Sequence, residues 1–175
     1  PLRRQRQMCI RDRIAHFASH PEELGNYRLV IVPCANPDGA IAGKNAQRSG
    51  KNAFGRCTAA HIDINRDFGP FKGKETRALR DFILRSKPNV YINAHGWLNE
   101  TLGTKKLCQI VNRTLHLNKM KDGVYAANEG YAIGWVHKKL HIPCCLLEYK
   151  APNALHTKDN VRTVSYTHLR AHETP

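Results

Sequence analysis

Short apolar runs with strand character alternate along this chain with segments whose apolar residues recur at helical spacing, and that alternation narrows the fold to one class. The run Arg28–Pro33 (RLVIVP) is rich in β-branched residues and leads into Asn36-Pro37-Asp38-Gly39, which predicts a buried strand followed by a sharp reversal. Alternation over His61–Asn65 and Val90–His95, and the apolar stretch Ile142–Tyr149, predict three more strands. Between them, Leu79, Phe82 and Ile83 share one helical face within Lys74–Arg85, a segment that stops before Pro88 as helices do. Leu107, Ile110, Val111 and Leu115 mark a second helix, and Tyr131, Trp135 and Val136 a third. The segment Gly43–Arg56 is polar and glycine-rich and reads as a long exposed loop. The resulting fold class is α/β, a central, mostly parallel mixed sheet with helices on both faces.

In open sheets of this class, sites collect beyond the carboxyl ends of the strands. Asn36, Asn65, Arg66, His95 and Glu148 all fall at such ends. His95 shares a strand face with Tyr91 and Asn93, and Gly96 after it lets the backbone turn away and leaves the ring at the sheet edge. Asp63 and Asn65 lie two apart, on one face of a strand, and Arg66 leaves as that strand ends. An amide and a guanidinium placed so can converge on one anion, and the planar arginine fork suits a carboxylate. Glu148 follows the buried run Ile142–Leu147, an environment that favours a carboxyl able to accept a proton. Each residue also has an ordinary structural explanation: a core histidine, a strand-end ion pair with Asp67 or Asp63, or a salt bridge from Glu148 to Lys150.

Both ends of the chain lack turn logic and apolar period, so residues 1–13 and 164–175 are read as foreign to the domain, leaving 14–163 as its body. The formal net charge is +14, and the ends hold six of the 28 Lys and Arg and two of the 14 acids, so the body remains strongly basic. Its basic residues are spread over loops and helix faces without interleaved aromatics, which argues against nucleic-acid binding and leaves anionic polymers or carboxylate-bearing substrates. Five cysteines in the body, an odd number without a Cys-x-x-Cys pair, argue against a disulfide framework and favour a reducing, cytoplasmic compartment. Cys144 and Cys145 are adjacent on a strand and so point to opposite faces as core filling. No stretch has the length of a membrane span.

Taken in order, NPDG at Asn36–Gly39, DINR at Asp63–Arg66, NAHG at Asn93–Gly96 and LLEYK around Glu148 resemble the zinc carboxypeptidases, over roughly Ile14 to Arg162. The resemblance implies a carboxypeptidase-like sheet, incomplete here. It implies a Zn2+ ion held by His95, with Asp63 orienting a zinc-bound histidine and Glu148 as the catalytic base. Asn65 and Arg66 would bind the free carboxylate of a peptide substrate, with cell-wall or other small peptides among the candidates. Arg48, 17 residues ahead of Asn65, matches the arginine that stabilises the oxyanion, and Arg56 is its rival. The substrate-capping tyrosine has three candidates, Tyr125, Tyr131 and the polar His137. Trp97 stands near His95 where many relatives carry a tyrosine. The family's remaining two zinc ligands form a His-x-x-Glu pair well upstream of NPDG, and the string His20-Pro21-Glu22-Glu23, 16 residues before Asn36, is read as fortuitous. Two alternatives stand beside the peptidase: a zinc deacylase resembling the aspartoacylase and succinylglutamate desuccinylase group, and a carboxylate-binding module without catalysis.

Overall fold

The computed structural model describes residues 14–48, 56–96, 98–117, 119–121 and 130–149. Residues 14–19 are helical (α1), and the other helices are α2 (Pro37–Arg48), α3 (Lys74–Ser86), α4 (Lys105–Leu115) and α5 (Ala132–Leu140). The strands are β1 (Tyr91–Gly96), β2 (Glu100–Gly103), β3 (Lys119–Lys121) and β4 (Cys144–Tyr149), in the spatial order β1-β4-β2-β3. β1 pairs with β4 and β2 with β3 in parallel, while β2 and β4 are antiparallel, so the sheet is mixed and mostly parallel as expected. Among the described residues no helix is long and apolar enough to cross a membrane.

Period-two alternation on β4 divides the core. Cys144 and Leu146 face Ile133 and Val136 of α5 and Ile83 of α3, together with Tyr91 and Leu102 from the neighbouring strands. Cys145 and Leu147 face Leu107, Cys108 and Val111 of α4 on the opposite side, with Val90 and Ile92. Helices therefore cover both faces, and the two adjacent cysteines do point apart. The Cys108 and Cys145 sulfurs lie 3.7 Å apart as free thiols, and burial pushes the Cys144 thiol up to about 12, so this group fills space and is unreactive at neutral pH.

The end of β2 approaches β4 too closely for a side chain. A Cβ on Gly103 would sit 2.1 Å from the Cys144 carbonyl oxygen. Next to it the Thr104 N–H donates to that same oxygen at 2.8 Å, and the Cys144 N–H donates to Thr104 Oγ1 at 3.0 Å. Gly103→Ala is expected to lower stability by at least ~2 kcal/mol, because the clash is with backbone and no rotamer relieves it. A urea titration that gives an unchanged midpoint for this variant would contradict the packing.

Four expectations are corrected. Residues 28–33 form no strand among the described residues, since the other expected neighbours pair with one another instead. NPDG is the start of α2 rather than a reversal: Asn36 Oδ1 accepts the Gly39 N–H at 2.9 Å and Pro37 occupies the first turn, where its missing N–H costs nothing. The polar segment from Gly43 likewise continues α2 as far as Arg48, while 49–55 lie outside the described residues. His61–Asn65 is not a strand; a single antiparallel bridge joins Cys57 to Asp63, and Ile64–Arg66 then form a 3-10 turn. The turn forms because Asp63 Oδ1 accepts the Asn65 N–H at 3.0 Å, a local bond that diverts the backbone from extension.

Asp67 anchors the passage from this turn into α3. Its carboxylate is 4% exposed and accepts the N–H groups of Lys72 at 2.9 Å and Gly73 at 2.8 Å, and the Thr76 hydroxyl, at the start of the helix. Burial alone pushes this carboxyl up, but the donors from Thr76, Gly73 and Lys72, with the Lys72 charge, outweigh it and hold it below the ordinary aspartate value. A carboxyl held lower in the folded than in the unfolded chain stabilises the fold above the unfolded value, and that contribution is lost as pH falls through the folded one. The denaturation midpoint is therefore expected to fall below about pH 4, and Asp67→Asn should flatten this part of the profile while lowering the midpoint at pH 7.

Candidate active site

The strand register brings the first pair together. Along one face of the parallel β1–β4 pair the partners run Tyr91 with Cys144, Asn93 with Leu146 and His95 with Glu148, so the face changes from apolar to chemical toward its carboxyl end. His95 Nδ1 lies 4.0 Å from Glu148 Oε1, with the histidine 28% and the glutamate 12% exposed. The antiparallel pairing sets Glu100 opposite Glu148 on the same face, making a row His95–Glu148–Glu100 across three strands. Glu100 carried no signal in the sequence, because β2 is too short and too polar to announce itself as a strand.

A second group gathers on the turn after the Cys57–Asp63 bridge. The Thr58 N–H donates to the Ile62 carbonyl at 2.9 Å, closing a tight loop between them. Arg56 Nε donates to Asp63 Oδ2 at 2.6 Å, and the other carboxylate oxygen holds the Asn65 N–H. Asp63 thus organises its own loop, using both oxygens on Arg56 and Asn65. The NPDG segment docks against this loop through its side chains: Asn36 Nδ2 donates to the Arg56 carbonyl at 3.1 Å, and Asp38 Oδ2 accepts the Ala59 N–H at 3.3 Å. Asn36 therefore works in two directions, capping α2 and tethering the loop that carries Arg56. The side chain of Arg48 lies outside the described residues.

The turn is also bolted to α5. Phe68 is buried beside Trp135, and its N–H donates to the Gly130 carbonyl at 3.1 Å. A Cβ on Gly130 would lie 2.5 Å from Arg66 Cα, so the Arg66 backbone rests directly on that glycine. The Arg66 guanidinium stands over the Tyr131 ring, 4.4 Å from its centroid, and Nη1 donates to the Asn65 carbonyl at 2.7 Å.

Topology relates the two groups. α5 ends at Leu140 and, after residues 141–143, the chain enters β4. α5 covers the face that carries Cys144 and Leu146, with the Ile133 carbonyl 3.3 Å from Cys144 Sγ, and Gly130 and Tyr131 just before the helix hold Arg66.

His95 is suited to a zinc ion as a half-exposed imidazole at a strand end. Among the described residues no group of three His, Cys, Asp or Glu converges to hold a metal. His20 and Glu23 are occupied elsewhere: His20 Nδ1 is 3.0 Å from the His16 carbonyl, and Glu23 Oε2 is 2.9 Å from His16 Nε2. Of the three candidates for the capping tyrosine, Tyr125 lies outside the described residues, His137 is within α5, and Tyr131 is engaged under Arg66. Trp97 is likewise outside them.

Residues 16–102 match the family model described as zinc carboxypeptidase. Bacteriocin BCN5 of Clostridium perfringens is 27% identical over an alignment of 166 residues that covers 82% of this chain but only 18% of that relative, so the chain spans less than a fifth of its length. Two solved structures share the fold. One is the murein-tripeptide amidase MpaA from Escherichia coli O157, with a TM-score of 0.60 and 19% identity, covering 82% of this chain and 68% of that one. The other is a metallo-carboxypeptidase from Pseudomonas aeruginosa in complex with (2-guanidinoethylmercapto)succinic acid, with a TM-score of 0.52 and 15% identity, covering 79% of this chain and 44% of that one. Residues 16–102 of this chain thus match the zinc carboxypeptidase family, and the chain shares its fold with two solved structures.

Proposed function

We propose that this chain contributes to a zinc-dependent peptidase that cleaves a peptide bond near a free substrate carboxylate. The observation that carries this reading is the registered pair His95 and Glu148 at the carboxyl end of two parallel strands, with the Arg66 guanidinium held in place over the Tyr131 ring. Arg66, with the Asn65 amide, binds the carboxylate and so holds the peptide in register. Glu148 accepts the proton of the attacking water and passes it to the leaving amine. A guanidinium on the Asp63 loop, Arg56 by its place in the structure or Arg48 by its spacing, stabilises the charge that develops on the carbonyl oxygen. Zinc, when bound, supplies Lewis acidity and a more acidic water, and His95 is the described residue suited to hold it. The match to the zinc carboxypeptidase family model and the likeness to a murein-tripeptide amidase support short wall peptides containing a diamino acid as the first substrates to try.

The test offers the protein, with zinc, an N-acyl tripeptide ending in a free carboxylate, its C-terminal amide and a set of N-acyl amino acids. Hydrolysis of the acid peptide, abolished by a chelator and weakened by amidation, is expected. Turnover of acyl amino acids alone would favour the deacylase, and saturable binding of the acid peptide without turnover would favour the binding module.

A further inference from the structure

We propose that Tyr131 is a positioning residue for the carboxylate pocket: its ring fixes the plane of the Arg66 guanidinium and so contributes to discrimination in favour of substrates with a free carboxylate. The inference rests on the reading of Arg66 as the carboxylate-binding residue and adds a role for Tyr131. An arginine can be held in place by acceptors, but every acceptor consumes N–H groups that the ligand needs. Among the described residues one such bond is made, from Nη1 to the Asn65 carbonyl. A further constraint comes from the face of the Tyr131 ring, 4.4 Å from ring centroid to guanidinium carbon. Stacking of this kind acts perpendicular to the guanidinium plane and leaves the in-plane donors for a carboxylate.

The ring is itself well anchored. Tyr131 is the residue just before α5, its carbonyl accepts the Trp135 N–H at 3.1 Å, and α5 is packed into the core through Ile133 and Val136. On the other side Gly130 admits the Arg66 backbone to a distance at which no side chain would fit. Phe68, two residues after Arg66, ties the same strand of chain to Gly130 and Trp135. Backbone and side chain of Arg66 are thus referenced to one rigid helix end, the arrangement that keeps a binding group near a single geometry.

The experiment measures binding of the N-acyl tripeptide acid and of its C-terminal amide by calorimetry, for the whole chain and for Tyr131→Phe, Tyr131→Leu, Arg66→Gln and the Arg66→Gln/Tyr131→Leu pair. The wild type is expected to prefer the acid, Tyr131→Phe to keep that preference, and Tyr131→Leu to lose about fivefold of it with little change for the amide. In the Arg66→Gln background, Tyr131→Leu should change nothing further, because its effect passes through the guanidinium. Loss of acid and amide binding together would mark general damage to the fold and overturn the assignment, as would a Tyr131→Leu protein whose preference equals the wild type's. A wild type that binds acid and amide equally would instead remove the carboxylate reading of Arg66 on which the assignment stands.

Discussion

Glu148→Gln is expected to lower kcat on a carboxylate-bearing peptide by about 10²- to 10⁴-fold, the usual contribution of a positioned proton acceptor. KM should stay within a few fold, because in the proposed mechanism Asn65 and Arg66, not Glu148, bind the carboxylate. The replacement keeps the shape of the side chain, and it sits on a strand whose backbone is paired on both sides, with β1 and with β2. Stability gives an independent readout. Glu100 stands directly opposite Glu148 in the ladder, and like charges so placed oppose each other. Neutralising one of them should leave the urea midpoint equal or higher while activity falls, the exchange of stability for function common at reactive sites. Steady-state kinetics showing less than a tenfold loss in kcat would remove Glu148 from the proton-transfer role.

The second large effect concerns the two arginines. Arg56→Gln is expected to reduce kcat by about 10²- to 10³-fold with a small change in KM, since a donor aimed at developing charge acts mainly in the transition state. Arg48→Gln should stay within a few fold. The preference for Arg56 comes from its surroundings: it pairs with Asp63, and its carbonyl is held by Asn36. Kinetics of the two single variants decide the matter, and the reverse ranking would restore the assignment made from spacing. Asn36→Asp probes the same point from a distance. Aspartate caps a helix as well as asparagine does, yet it cannot donate to the Arg56 carbonyl, so kcat should fall without a matching loss of stability.

How much of this was legible in the sequence depends on the range of the forces involved. The long amphipathic segments became α3, α4 and α5 because their periodicity reflects the core they pack on, and β1 and β4 were visible for the same reason. The chemistry at His95 and Glu148 was readable as strand-end chemistry, but their adjacency was not, since only the parallel register of two strands distant in sequence creates it. Failures occurred where one local hydrogen bond outweighs a pattern. The amide of Asn36 turns NPDG into a helix start, and the carboxylate of Asp63 turns an apparent strand into a 3-10 turn. Glu100 and Gly130 were invisible for another reason: their importance lies in what sits opposite them, Glu148 across the ladder and the Arg66 backbone against the glycine.

The division of labour between strands and turns bears on how such a protein can change over generations. His95 and Glu148 are joined by a hydrogen-bonded ladder, so lengthening or rewriting a loop does not move one relative to the other. Arg56, Asn65 and Arg66 sit on a loop outside that ladder, held by Asn36, Asp38, Phe68 and Gly130. On the proposed function, a lineage can therefore exchange one class of substrate for another through that loop while His95 and Glu148 keep their register.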